Sequence, residues 1–262
     1  MKPPFYFGPA YKYCAAATLP LIVKNQRLWF SRADTLNDAF ELSPFLIPLD
    51  WQEIVTLAET QFEEARNLAD AAFTRVCSSL YVTCFSKHYL KPESQLMWAH
   101  YGDSHRGCCF CVDFSELEDD RTAGMYPIEM QYSESLLDER NSRTQDSEDL
   151  PLLLGGFKSD VWEYEQEVRL VLESESFDSL KFEFMNNRKN VSVMFNPASI
   201  TKVVFGLKSG PNELTPIVKS FCDFGHLPEF TRLDIDPLTL GVVEKDTGIK
   251  QSILDLRESS GE

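Results

Sequence analysis

The sequence contains no glycine-rich phosphate loop, no Walker pattern, no zincin motif and no nucleophile elbow. The common signatures of nucleotide binding, zinc proteolysis and serine hydrolysis are therefore missing. No stretch approaches the roughly 20 apolar residues that a membrane span requires. The opening MKPPFYFGPAYKY lacks the apolar run of a signal peptide. Basic residues are scarce: 25 Lys and Arg stand against 41 Asp and Glu, for a net charge of −16. Such a surface repels phosphate backbones, which argues against an extended nucleic-acid interface while leaving room for a small basic pocket inside an acidic shell. The seven Cys are odd in number and show no disulfide spacing, which fits thiols kept reduced in a cytosol. These features predict a cytoplasmic protein with no membrane partner.

What is present is an apolar share of 43%, a 12% aromatic content and 19 Phe, enough for a sizeable aromatic core in 262 residues. The pattern predicts a single α+β domain with a mixed or mostly antiparallel sheet and peripheral helices. A short helix over Ala15–Val23 is expected to end at Pro20, and Arg27–Ser31 reads as a strand. Trp51–Val76 has the clearest helical periodicity, with Phe62, Leu68 and Phe73 among the residues of its apolar face. Strands are expected over Leu80–Ser86, Cys108–Phe114, Ile128–Tyr132, Glu167–Leu172, Ser179–Phe184, Ile200–Gly206 and Glu229–Ile235. Leu96–Tyr101 reads as one or two helical turns, Pro151–Lys158 as helical before its glycines, and Asn212–Phe224 as an amphipathic helix with Leu214, Ile217, Val218 and Phe221 inward. Residues 134–149 form a polar insertion, and residues 259–262 a frayed tail.

Two segments concentrate chemistry. The first is LMWAHYGDSHRG, Leu96–Gly107, which bunches Trp98, His100, Tyr101, Asp103, His105 and Arg106 at the mouth of an apolar strand, as at a pocket rim. Flat rings beside His and Arg suit a planar heterocycle such as nicotinamide or adenine; ordinary core anchoring is the plain alternative. The second is WEYEQEVRLVL, Trp162–Leu172. In an extended strand Glu163, Glu165 and Glu167 share one face with Arg169, and Lys158 adds charge nearby. That face is either the solvated side of an edge strand or an oriented catalytic carboxylate. LNDAFE, Leu36–Glu41, places Asn37 and Asp38 in a turn or over a pocket. A zinc site from His100, His105 and Cys108 or Cys109 matches no standard spacing, so no metal is expected. A thiol nucleophile at Cys84 competes with a buried structural thiol there.

The blocks YKY, LWFSRADTLNDAFE, TCFSK, LMWAHYGDSHRGCCFCVDF, KSDVWEYEQEVRLV and ITKVVFG, in this order from about Tyr11 to Asp236, resemble the bacterial family known as domain of unknown function 2971. Ala39 stands where that family usually carries Pro, and the acidic insertion is individual. More remotely, the layout is similar to that of the ADP-ribosyltransferases, which bind NAD in a cleft between small sheets. That likeness implies an NAD-consuming transferase or glycohydrolase, in a defence or toxin role. It makes Glu167 the first choice and Glu165 the second for the catalytic carboxylate. It puts Lys12 or Tyr13 on the first strand and lines the nicotinamide side with Trp98, His100, Tyr101 and His105. It pairs Arg106 or Arg169 with pyrophosphate. The alternative is a non-enzymatic module in which the same residues recognise a small ligand or a protein, with a thiol or metal hydrolase third.

Overall fold

The computed structural model describes residues 5–38, 80–115, 125–135, 156–173, 182–185 and 189–260, with isolated positions between 56 and 78. In chain order the elements are β1 (Pro9–Cys14), α1 (Thr18–Asn25), β2 (Arg27–Arg32), β3 (Leu80–Ser86), α2 (Ser94–His100), β4 (Cys108–Asp113), β5 (Met125–Glu129), β6 (Gln131–Ser133), β7 (Phe157–Ser159), β8 (Glu167–Glu173) and β9 (Phe182–Met185). After them come β10 (Asn190–Met194), β11 (Ile200–Phe205), α3 (Pro211–Phe224), β12 (Glu229–Ile235), β13 (Val242–Asp246) and α4 (Ile249–Ser260). The class is α+β, with a mixed, mostly antiparallel sheet and helices, as the sequence predicts. No helix among the described residues is long and apolar enough to cross a membrane. The chain divides into two compact units, each assembled from separated segments.

The first unit comprises Met1–Tyr6, Trp29–Cys84 and Asp119–Val193. Its strands follow the order β9-β10-β2-β3-β8-β5, with the small parallel pair β6 and β7 beside them. β8 lies between β3 and β5, so six of its seven residues are buried; it is a central strand and not the edge strand weighed from its acidic start. The expected strand Ile128–Tyr132 is two strands broken at Met130, whose N–H bonds to Glu167 O at 3.1 Å. The strand near Phe184 pairs with β10. Phe157 and Lys158 are in a strand, not a helix.

The second unit comprises Phe7–Leu28, Phe85–Glu118 and Met194–Glu262. Its sheet runs β13-β12-β11-β4-β1, antiparallel except for β11 and β12, which α3 connects in parallel. Register carries Tyr11, Cys111, Lys202 and Glu229 across one face, and Tyr13, Cys109, Val204 and Thr231 beside them. Trp98 of α2 covers this face, its ring edge-on to Tyr13 at 5.0 Å. On the other face Phe221 of α3 meets Phe230, and Phe230 stacks on Phe205. In α3, Ile217 and Phe221 are buried as expected, while Leu214 and Val218 are half-buried. Pro20 does not end α1. It occupies the first turn, where its missing N–H costs no helical bond, and the left-handed Gln26 (φ 52°) ends the helix.

The helix expected over Trp51–Val76 lies mostly outside the described residues; positions 56, 63, 64, 67, 68, 71 and 74 are helical and exposed. Leu68, expected on the apolar face, is among them at 52% exposure. The insertion from residue 136 on is outside the described residues as well.

Candidate functional site

The acidic segment does not enter β8 as an extended strand. Asp160–Glu165 forms a 3-10 helix, and Gln166 then takes a left-handed conformation (φ 44°). Glu163 is therefore exposed while Glu165 and Glu167 are turned inward. Lys158 Nζ donates to Glu165 Oε2 at 2.5 Å and to Glu167 Oε2 at 3.1 Å. Arg169 Nε donates to Glu167 Oε1 at 2.7 Å, and its Nη2 to Oε2 at 3.2 Å. Lys158, Glu165, Glu167 and Arg169 are 2%, 3%, 3% and 1% exposed. Two cations thus balance two carboxylates inside the first unit, which is the arrangement in which buried charge is tolerated.

Burial by itself pushes the Glu167 carboxyl up. The Arg169 guanidinium and the Lys158 ammonium beside it, with a hydrogen bond from Cys84, outweigh that and hold it at about 2. The Glu167 N–H donates to the Tyr132 hydroxyl at 2.7 Å, and burial pushes that phenol up. Lys158 Nζ also lies 4.7 Å from the centre of the Trp162 ring. Asn37 and Asp38, in the same unit, follow a 3-10 turn over Ala33–Thr35, the first exposed and the second buried.

In the second unit Trp98 is fully buried, and its Nε1 donates to Tyr89 O at 3.0 Å. Tyr13 is buried too and donates its hydroxyl to His88 O at 3.0 Å. Lys12 Nζ sits 5.2 Å from the centre of the Phe85 ring. His100 is exposed and edge-on to the half-buried Tyr101. His105 lies on a left-handed turn with its Nδ1 buried, and Arg106 is exposed beside it. Burial pushes the His105 imidazole down, and nearby Lys208 adds to the effect. Of the residues singled out from sequence, Glu165, Glu167 and Arg169 form one cluster, Tyr13 and Trp98 a second contact, and His105 and Arg106 a third group.

Two groups escaped the sequence reading. Tyr132 joins the carboxylate cluster from 35 residues away, with no local pattern to mark it. Lys202 bonds Glu244 at 2.7 Å and lies 3.3 Å from the Tyr89 hydroxyl, which itself donates to Glu244 at 2.6 Å. A lone Lys in the apolar strand ITKVVFG was the available signal. The cysteines cluster without a metal set: Cys14 and Cys108 face each other with Sγ atoms 3.7 Å apart, and burial pushes the Cys109 thiol up. Among the described residues no group of three His, Cys, Asp or Glu is placed to hold a metal ion.

Neither a curated protein nor a solved structure matches the chain. Residues 97–170, less than a third of the chain, match the family described as Protein of unknown function (DUF2971). This stretch takes in Trp98, His105 and Arg106 at one end and Lys158, Glu165, Glu167 and Arg169 at the other, so the matched residues include most of both chemistry-bearing segments.

Proposed function

We propose that this protein is an NAD-consuming enzyme, an ADP-ribosyltransferase-like transferase or a glycohydrolase, with Glu167 as its essential carboxylate. One observation carries the reading: Glu167 is buried away from water and held ionised, at about 2, by Arg169 and Lys158. Breaking the nicotinamide–ribose bond builds positive charge at the sugar, and a fixed carboxylate opposes that charge most effectively away from water. Glu165 supplies the second carboxylate. Lys158 spans Glu165 and Glu167, and its transfer to Glu165 alone leaves Glu167 Oε2 held only by the longer Arg169 Nη2 contact, with acceptor capacity for a ribose hydroxyl. Arg169 keeps Glu167 oriented. A cytoplasmic setting and a defence or toxin role belong to the same proposal.

A second reading has its own support. All four members of the cluster are buried and mutually neutralised, which is also how an ion cluster fixes a core without touching a ligand. In that reading the protein is a non-enzymatic module for a small ligand or a protein.

Incubation of the full chain with NAD, alone and with cell lysate, separates the two. The enzyme reading expects released nicotinamide or a labelled target, and loss of turnover in Glu167→Gln with NAD binding retained. Absence of both turnover and NAD binding in the wild-type protein sinks it.

A further inference from the structure

Asp103, Ser104 and His105 have φ of 49°, 54° and 71°. Three successive non-glycine residues in the left-handed region are costly, at about 1–2 kcal/mol each, and persist only where the surroundings over-determine them. Here they do. His105 N donates to Trp98 O at 3.1 Å, Arg106 N to Asp103 O at 3.0 Å, and Gly107 N to Gly102 O at 2.8 Å. A second loop, residues 206–210, is laid directly against the first. Gly206 N donates to Gly107 O at 3.0 Å and Lys208 N to His105 O at 2.9 Å, while Ser209 Oγ lies 2.9 Å from both Arg106 O and Gly107 O. A Cβ on Gly206 would fall 2.3 Å from His105 O, so only glycine permits this approach.

The double loop presents cations. The Arg106 side chain is 59% exposed, Lys208 is exposed, and Arg232 Nη2 reaches across from β12 to Leu207 O at 3.3 Å. The nearby acids are few or engaged. Asp103 stands 3.9 Å from Arg106, Glu213 accepts the Gly210 N–H at the start of α3, and Asp234 is bonded to Lys245. With Lys245, four cations stand here against three acids, whereas the chain as a whole carries −16.

We infer that the double loop formed by residues 102–107 and 206–210 is a binding site for a phosphate-bearing small molecule, with pyrophosphate as the minimal ligand. Arg106 supplies a planar fork for two oxygens of one phosphate, Lys208 a compact charge, and Arg232 a second guanidinium. The locked backbone places Arg106 and Lys208 on adjoining main chain before a ligand arrives, which lowers the ordering cost of binding. The site deepens the NAD-consuming reading, in which Arg106 is one candidate for the pyrophosphate, by adding Lys208 and Arg232; pyrophosphate binding without NAD turnover would leave the site standing while that reading fails.

Calorimetric titration of the full chain with inorganic pyrophosphate tests it. Expected is saturable one-to-one binding that weakens about tenfold or more in Arg106→Ala/Lys208→Ala, as loss of charge-assisted contacts predicts. Lys219→Ala should bind as wild type does, since it removes an exposed charge elsewhere on the same unit. No saturable binding overturns the inference, as does equal binding by the double variant or an equal loss in Lys219→Ala. Binding to long polyanions alone, with steep salt dependence, overturns it too. All substituted side chains are exposed, and unfolding curves verify that each variant is folded.

Discussion

Arg169 Nε donates to Glu167 Oε1 at 2.7 Å across a single intervening residue of β8. The two side chains leave the strand on the same face, so the backbone itself sets the pair, and Lys158 and Glu165 close around it. The consequences for stability are large because every member is out of water.

Arg169→Met should destabilise the protein by about 3–5 kcal/mol, since it leaves a buried carboxylate short of its partner. Glu167→Met should cost a comparable amount by stranding the guanidinium. The double variant, with both charges gone, should lose far less than the sum. Urea unfolding of the four proteins checks this, and strict additivity would mean the two groups do not act as a pair.

Acid should unfold the protein in a defined window. The Glu167 carboxyl lies at about 2 when folded and at its ordinary 4.5 when unfolded. Between those values the unfolded chain binds the extra proton, so the stabilisation is complete above pH 4.5 and is lost as pH falls toward 2. Glu244 is held down in the same sense: its own burial opposes this, but the hydrogen bonds and charge of its neighbours, Lys202 foremost, together outweigh it. His88 and His105, pushed down mainly by burial, add a loss that begins near pH 6.5. Urea midpoints between pH 7 and 3 should fall steadily, and Glu167→Gln should flatten the fall below pH 4.5.

Gly107→Ala should be severe. Its Cβ would lie 2.2 Å from Cys14 O, a backbone atom that cannot swing aside. The cost expected from such overpacking is roughly 1–3 kcal/mol or more. Gly225→Ala makes the comparison: φ is 89°, but nothing lies within 4 Å of the added carbon, so only the conformational cost of about 1 kcal/mol applies. Melting temperatures in the reverse order would show that the close approach is not what Gly107 serves.

Trp98 offers a test of anchor against platform. Trp98→Phe keeps a ring near Tyr13 but orphans Tyr89 O, with an expected loss of about 1–3 kcal/mol. Trp98→Ala should cost about 3–5 kcal/mol. A residue serving only as a ligand platform would show neither loss, and chemical unfolding decides.

Much of the carboxylate cluster was legible before any fold was known. Glu165, Glu167 and Arg169 were singled out by their spacing, with Lys158 as a supplementary charge. The route by which they meet was not. Alternation implied an extended strand with three carboxylates on one face, whereas a 3-10 turn and a left-handed Gln166 expel Glu163 and bring Glu165 to Lys158. Whether β8 is central or at an edge depends on pairing with β3 and β5, and pairing is a long-range property that one strand does not encode. Trp98 illustrates the same divide. Its place in an aromatic-rich segment was plain, but its complete burial follows from Tyr13 and Tyr89, which come from elsewhere in the chain.

By itself the sequence determined the α+β class, the principal strands, α2 and α3, and the two segments that concentrate polar chemistry, because these rest on periodicity, composition and short-range spacing. Only the tertiary structure decided which charges are paired and which are presented. Lys158 with Glu165, Tyr132 with Glu167, and Arg106 beside Lys208 and Arg232 are brought together by strand register and close glycine contacts. Separations of up to about a hundred residues leave no mark in a local pattern, and burial, which turns a carboxylate from a solvated charge into a fixed one, exists only after the chain has folded.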